Sequence, residues 1–452
     1  MRKICSFFFF LFFFSLTVFS QDISGYKDVV IFQTHTITEE PAELRYAIDQ
    51  TILNTFLFMK RFNVSVFNEP ITNENAEELI KEIQNYREQN VQLPEDVYAG
   101  KMGFTKEDWD KLINSYFVVY SHLDKYKLKI KEELVDTDYD GKADKKRYKY
   151  FISFELTLFI TNMQTGNLVG NFHFENQGSG ASIAKASRVA ILGLSEELDF
   201  NLRNVKDFTL HSGIKAIDGD KVEIELGRNL GLNVGDEFVV IKTETQGKTL
   251  KESETALLLI TNVYDDYAKG KILFAKDKTA FADQVYEVPR GPAEYKLYGN
   301  INASFNLLRQ AELTGELGLS VIFTRGFYRV RPFVSSELSF SKEKLALGLP
   351  IRAFVGTQAG NVFIGRFQFS PELAFGAEML VSPKKKEPDF SALILRTTLN
   401  FSYLINRDVK MSFGIGSDFS FSFLKNAPNN GVFRGEILAQ FGIVLKGFGS
   451  IY

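Results

Sequence analysis

The sequence predicts a multidomain chain of the α/β plus all-β class: an α/β domain, a small β-barrel, and a C-terminal eight-stranded antiparallel transmembrane β-barrel. Three observations predict it. Between Asp28 and Leu198, short apolar runs interleave with segments of helical period. Between Phe208 and Val288, strand-like runs are punctuated by Gly227, Gly231 and Gly235. From Glu294 onward, apolar and polar residues alternate through eight successive runs, the period-2 pattern of strands with one apolar and one polar face. The boundaries that result are a leader at 1–20, the α/β domain at 21–207, the small barrel at 208–290 and the large barrel at 291–452.

The leader comes first. Arg2 and Lys3 precede a run of apolar residues from Phe7 to Phe14, and Val18 and Ser20 stand at −3 and −1 of a cleavage site before Gln21. This is the layout of a secretory signal peptide, and the run is shorter than the ~20 residues that a spanning helix needs. The lone Cys5 precedes the apolar run, whereas a lipoprotein Cys would follow it. The exported chain then has no Cys, which excludes a disulfide, a thiol nucleophile and a thiolate metal site. With 53 Lys+Arg against 56 Asp+Glu, there is no basic field to draw nucleic acid, and 45% apolar residues exclude a wholly disordered chain.

In the α/β domain, Asp28–Gln33 reads as a buried strand. Pro41 opens a helix whose Leu44, Ile48, Ile52 and Phe56 share one face. Phe62–Phe67 is the next strand, Asn75–Asn90 and Thr105–Asn114 are charged helices, and Ser115–Glu133 and Lys146–Thr161 are long strands. Gly166–Phe174 is a further strand, and Gly180 opens a helix that carries Ile183, Ala186, Ala190, Leu194 and Leu198. The early "VVIF" strand, the "TNMQTGNLVG" turn (Thr161–Gly170) and "GSGASIAKASRVAILGL" (Gly178–Leu194) resemble the periplasmic α/β modules of curli-assembly and flagellar-assembly-protein-T-like envelope proteins. The chain departs from the curli channels, which are lipoproteins, in lacking a Cys after the leader.

In the small barrel, Ile214–Lys242 reads as a hairpin, a Gly-punctuated turn and a further strand. Gly227, Gly231, Gly235 and Asp236 fit G-x(3)-G-x(3)-G-D. Gly supplies positive φ in tight turns and Asp hydrogen-bonds the turn backbone. No P-loop Lys-Ser/Thr follows, so the glycines do not read as a phosphate cradle. This stretch resembles the C-terminal domain of flagellar assembly protein T and related SH3-like modules. "VPRGPAE" (Val288–Glu294) reads as a linker.

In the large barrel, one face of the first strand carries Tyr295, Leu297, Gly299 and Ile301, and the other carries Glu294, Lys296, Asn300 and Asn302. The other strands repeat the pattern, as with Phe367, Phe369, Leu373, Phe375 and Met379 against Gln368, Glu372 and Glu378. Runs of this length suit a tilted membrane span of ~9–11 residues. Eight strands leave an interior just wide enough for side chains to fill. The polar faces carry Glu312, Glu316, Glu337, Glu372, Glu378 and Glu436 with Arg329, Arg331, Arg352, Arg366, Arg396 and Arg434, which predicts a plug of ion pairs. Connections 2, 4 and 6 ("TRG", "TQAGN", "NRD") are short, and connections 5 (Ser382–Asp389) and 7 (Lys425–Gly431) are longer, the asymmetry of outer-membrane barrels. With the terminal aromatic Tyr452, this resembles a small outer-membrane barrel of the OmpA or OmpX class.

Candidate chemistry is sparse. Asp136, Asp138, Asp140 and Asp144, with Gly141, match the start of a calcium loop, where carboxylates at positions 1, 3 and 5 converge on a hard cation. Position 12 is Arg147 instead of the bidentate Glu of an EF-hand, so an acidic hairpin tip is the alternative. The four His (His35, His122, His173, His211) show no zinc spacing. Ser179 reads as a helix cap. The expectation is therefore a non-enzymatic outer-membrane protein with no cofactor beyond calcium. Its barrel sits in outer-membrane lipid, its N-terminal domains lie in the periplasm, and those domains engage periplasmic or envelope proteins, as in envelope or flagellar assembly. A channel or secretion-pore component and a barrel enzyme are the alternatives.

Overall fold

The computed structural model describes residues 23–36, 41–89, 96–99, 102–135, 145–246, 249–281, 283–305, 311–324, 327–340, 348–360, 362–382, 388–423 and 433–447. The leader, the Asp136–Asp144 loop, most of connections 5 and 7, and Tyr452 lie outside them.

The first unit contains strands β1 (Lys27–Gln33) and β2 (His35–Thr36), helix α1 (Ala42–Met59), β3 (Phe62–Pro70), α2 (Asn73–Gln89), β4 (Asp96–Ala99), β5 (Met102–Thr105), α3 (Lys106–Asn114), β6 (Phe117–Val135), β7 (Lys145–Asn162), β8 (Leu168–Gly180) and α4 (Ile183–Asn204). Its six-stranded sheet runs β3-β1-β6-β7-β8, with β2 beside β6. β1 is parallel to β3 and β6, β2 is parallel to β6, and the β6–β7 and β7–β8 pairs are antiparallel. Helices cover both faces. Leu44, Ile48, Ile52 and Phe56 of α1 and Ala186, Ala190, Leu194 and Leu198 of α4 share one core with alternate sheet residues. On the other face α2 and α3 contribute Leu79, Ile83, Trp109 and Leu112.

Three local details differ from the sequence reading. Pro41 is the extended residue before α1, not its first helical residue. β8 continues to Gly180, with Ser179 paired to Phe151, and the side chain of Ser182 caps α4 instead. β4 and β5 form a small hairpin that the charged surroundings gave no sign of.

The second unit contains β9 (His211–Asp218), β10 (Lys221–Ile224), β11 (Glu237–Gln246), β12 (Thr249–Val263), β13 (Ala268–Ala275) and β14 (Gln284–Val288), closed in the order β10-β13-β12-β11-β14-β9. Phe238, Val240, Leu258 and Ile260 fill its core. Gly231 and Gly235 adopt φ of +80° and +98°. Gly227 is extended instead (φ −135°), and it is needed there because a Cβ would lie 2.0 Å from the Asp265 carbonyl oxygen.

The third unit contains β15 (Ala293–Phe305), β16 (Ala311–Phe323), β17 (Val330–Phe340), β18 (Leu349–Ala359), β19 (Val362–Ile364), β20 (Phe367–Val381), β21 (Asp389–Leu404), β22 (Val409–Ser422) and β23 (Phe433–Lys446). Antiparallel pairing runs in the order β18-β17-β16-β15-β23-β22-β21-β20, β18 pairs β20 to close the ring, and β19 pairs β20 alone as an appendage. This is a closed, eight-stranded up-and-down barrel. Connection 4 is not a tight turn. Gly360 and Gly365, both at positive φ, let β19 fold back on the start of β20, and Phe363 packs on the outside of the six-stranded barrel.

Alternation along each strand sorts the residues as the period predicts. Outward go Ile301 (65% exposed), Leu313 (74%), Val355 (65%) and Phe375 (65%). Inward go Lys296, Asn300, Glu316, Glu337, Arg352, Glu378, Arg396 and Asp418, all buried. Among the described residues no helix is long and apolar enough to cross a membrane, a statement that says nothing of strands.

Candidate functional site

The lumen of the large barrel is built by the inward residues of all eight strands, and it is layered. In the half away from the six-stranded barrel, Arg352 of β18 stands at the centre. Its guanidinium pairs with Glu316, with Glu378 Oε2 at 2.9 Å, with Asp418 Oδ2 at 3.5 Å and with Glu436 Oε2 at 3.8 Å. Arg396 of β21 donates to both oxygens of Asp418 at 2.7 and 2.6 Å, and to Glu337 Oε2 at 3.1 Å. Its guanidinium also lies 4.2 Å from the Phe354 ring centre. Tyr298 and Asn300 donate to Glu337 at 2.8 and 3.1 Å. Two guanidiniums thus hold five carboxylates, with neutral donors completing the network. Burying charge in this way is tolerable only when each group is paired and hydrogen-bonded.

The nearer half is built on lysines. Lys296 donates to Asn400 Oδ1 at 3.0 Å and to Gln440. Lys410 donates to both oxygens of Glu294 and to Gln368 Oε1, each at 2.9 Å. The void beside Lys296 and Tyr298 measures about 10 Å³, room for about one water.

The near mouth is capped by the six-stranded barrel. Glu237, the first residue of β11, points into the seam, where Lys446 and Arg290 both donate to it, Arg290 Nη2 at 2.6 Å. Burial pushes the Glu237 carboxyl up, but the two cations outweigh burial and hold it at about 2. Arg290 also reaches Asp408 Oδ1 at 2.6 Å and the Arg407 carbonyl at 2.6 Å in the β21–β22 turn. An apolar layer seals the same seam, with Val239, Leu257, Leu259 and Leu273 of the six-stranded barrel against Leu404, Tyr328 and Phe363.

A second clamp joins the six-stranded barrel to the α/β unit. Glu287 of β14 accepts from Arg61 Nη1 at 2.8 Å, Arg203 Nε at 2.8 Å and the Leu210 amide at 3.2 Å. Burial raises this carboxyl, and Arg203 and Arg61 together bring it down to about 2.

Of the charges assigned to the lumen from the sequence, Glu316, Glu337, Glu378, Glu436, Arg352 and Arg396 meet in one cluster. Glu372 lies in the nearer half and accepts from Gln358 at 2.8 Å. Arg434 sits toward the far end, 3.3 Å from Glu436. Arg331 lies at the near mouth. Arg329 is exposed and stands before β17, outside the lumen. Arg366 is not luminal either: it bonds the Leu404 and Ile405 carbonyls and lies 4.5 Å from the Phe274 ring centre of the six-stranded barrel. The side chain of Glu312 lies outside the described residues. The calcium candidates Asp136, Asp138, Asp140 and Asp144 also lie outside them, in the loop that joins β6 to β7. Of the four His, His35 and His122 are cross-strand neighbours with ring centres 5.4 Å apart, a pairing across 87 residues that spacing could not reveal. His211 bonds Ser24 at 3.0 Å, and His173 lies on the exposed face of β8. Asp418 and Tyr298 were legible through strand parity alone, whereas Glu237 and Glu287 gave no local signal.

No family model matches the chain, and no curated protein does. Among solved structures, the chain is similar to Neisserial surface protein A at 8% identity and a TM-score of 0.26, covering 35% of this chain and 97% of that one. It is similar to the N-terminal β-barrel domain of Pseudomonas aeruginosa OprF at 8% identity and 0.24, covering 34% and 96%. It is also similar to the hypothetical protein CT253 of Chlamydia trachomatis at 12% and 0.20, covering 35% and 76%.

Proposed function

We propose that the chain is a non-enzymatic outer-membrane protein whose large barrel anchors the α/β unit and the six-stranded barrel on the periplasmic side. There they dock partner proteins of the envelope, as in envelope or flagellar assembly. The observation that carries this is the inversion of the barrel: a continuous outward coat of Leu, Ile, Val and Phe around a core of ion pairs. Water would favour the reverse arrangement, and an exposed apolar area of this extent suits lipid.

An anchor is favoured over a channel because the lumen is filled in both halves and its near mouth is capped by Glu237 and its two cations. It is favoured over a barrel enzyme because each acid of the far cluster is engaged by a guanidinium, which leaves no free acid–base pair there. Partner docking is supported by the free end of the β6–β7 hairpin. Past the last β8 pair at Tyr150 it runs beyond the sheet's other strands and carries Lys131, Lys145, Lys146 and Arg147, all exposed.

The test is topological and electrical. In intact cells, protease should cut within Ser382–Asp389 while the α/β unit stays protected, and purified protein in a planar bilayer should give no single-channel steps. Cleavage of the α/β unit at the cell surface, or regular conductance steps, would overturn the reading.

A further inference from the structure

The near mouth of the large barrel holds a cavity of about 500 Å³, within the size range of small-molecule sites. All three units wall it: α4 supplies Arg203, the six-stranded barrel supplies Val234, Asp236 and Glu237, and the large barrel supplies Tyr328, Arg331 and Lys446. Four of its lining residues are cations (Arg203, Arg290, Arg331, Lys446) and three are acids (Asp236, Glu237, Glu294).

Three of the cations are hydrogen-bonded to carboxylates: Arg203 to Glu287, and Arg290 and Lys446 to Glu237. Arg331 is different. It is 6% exposed, and among the described residues its Nε and Nη1 have no hydrogen-bond partner. Its ion pair with Glu294 is long, Nη1 to Oε1 at 3.7 Å, and both oxygens of Glu294 accept hydrogen bonds from Lys410 at 2.9 Å. The acids in the wall leave these two N–H groups without a hydrogen bond. The hydrogen bonds to Glu237 and Glu294 come from other cations, and burial raises the Asp236 carboxyl toward its neutral form.

Buried guanidinium N–H groups without acceptors are costly, and their planar arrangement matches the oxygens of a carboxylate or a phosphate. Tyr328 and Val234 give the cavity an apolar flank for the rest of such a molecule.

We infer that this seam cavity is a binding site for a small molecule bearing an oxyanion, a phosphate or a carboxylate, which pairs with Arg331 where the three units meet.

The experiment is calorimetric titration of the full chain in detergent with inorganic phosphate and with succinate, at constant ionic strength set by chloride. Saturable one-to-one binding of at least one of them is expected. Saturation by phosphate alone identifies a phosphate-bearing ligand, and saturation by succinate alone a carboxylate. Arg331→Gln should weaken binding about tenfold or more, the loss of a charge-assisted bond. Arg329→Gln, on the exposed residue two positions earlier, should leave it unchanged. Val234→Trp adds bulk to the cavity wall while Arg331 is kept, and it should also abolish binding, which keeps the test decisive if Arg331→Gln does not fold. Absence of saturable heat for both anions, or undiminished binding in Arg331→Gln and Val234→Trp, would refute the site.

Discussion

Replacing Glu287 by Gln should loosen the α/β unit from the six-stranded barrel, and the size of the effect follows from the clamp. The Glu287 side chain has no exposed surface, and two guanidiniums converge on it, Arg61 and Arg203. Gln keeps the shape and removes the charge, which leaves both guanidiniums buried without their shared counter-ion. Removing one partner of a buried pair costs about 3–5 kcal/mol. The proton linkage gives a similar figure: a carboxyl lowered from 4.5 to about 2 corresponds to about 3 kcal/mol, at about 1.4 kcal/mol per tenfold. Because this carboxyl is lower in the folded chain than in the unfolded one, its contribution is complete above about pH 4.5. It is lost as the pH falls toward about 2.

The assay uses the single tryptophan. Trp109 is fully buried in the α/β unit, so its fluorescence follows that unit while the large barrel stays folded. With a urea dependence of about 2–3 kcal/mol per molar, Glu287→Gln should lower the midpoint by roughly 1–2.5 M at pH 7. The gap between variant and wild type should close as pH falls from 4.5 toward 2. A midpoint change below about 0.2 M at pH 7, or a gap that does not change with pH, would refute the clamp.

Three further predictions concern the large barrel and the acidic loop. Arg352→Met strips Glu316, Glu378, Asp418 and Glu436 of their common cation and should cost about 3–5 kcal/mol. Heat-dependent gel mobility should show the barrel unfolding at lower temperature, and adding Glu316→Gln and Glu378→Gln should restore part of the loss. Phe375→Arg, mid-strand on the outward face, should cost about 2–4 kcal/mol if that face meets lipid. A water-facing position would change by about 0.5 kcal/mol at most, and folding into lipid vesicles at increasing urea separates the two. Asp138→Ala should remove any rise in melting temperature that calcium gives the wild-type chain, and calorimetry with and without a chelator checks it.

How much of this was written in the sequence depends on the range of the interaction. Strand parity is local, so the inward and outward faces of the large barrel could be read residue by residue. The same parity puts Asp418 and Tyr298 on the inward face. Parity says nothing about where a strand stops relative to its neighbour. That is why Arg366 looked luminal, although it lies in the turn where Gly365 sends the chain back and Phe274 receives the guanidinium. Helix caps failed for a related reason: Ser179 and Ser182 are equivalent in composition, and only the pairing of Ser179 with Phe151 across β8 and β7 decides which of them starts α4. The two clamps were invisible because Arg61 and Glu287 are 226 residues apart, and Glu237 and Lys446 are 209 apart.

Those clamps also change the meaning of the stretch between the barrels. With two Pro and a Gly, Val288–Glu294 has the composition of a hinge. In the fold, Arg290 is tied to Glu237 before it and to Asp408 and the Arg407 carbonyl beyond it, and Ala293 and Glu294 are buried. A peptide held at both sides by charged hydrogen bonds cannot act as a free joint, because bending it would expose Glu237 while it is still paired to two cations. Glu287 does the same at the other end of the six-stranded barrel. That barrel is therefore a rigid coupling between the α/β unit and the large barrel. A docking surface on the β6–β7 hairpin would then be held at a fixed distance and orientation from the membrane, which a tether of flexible residues could not provide.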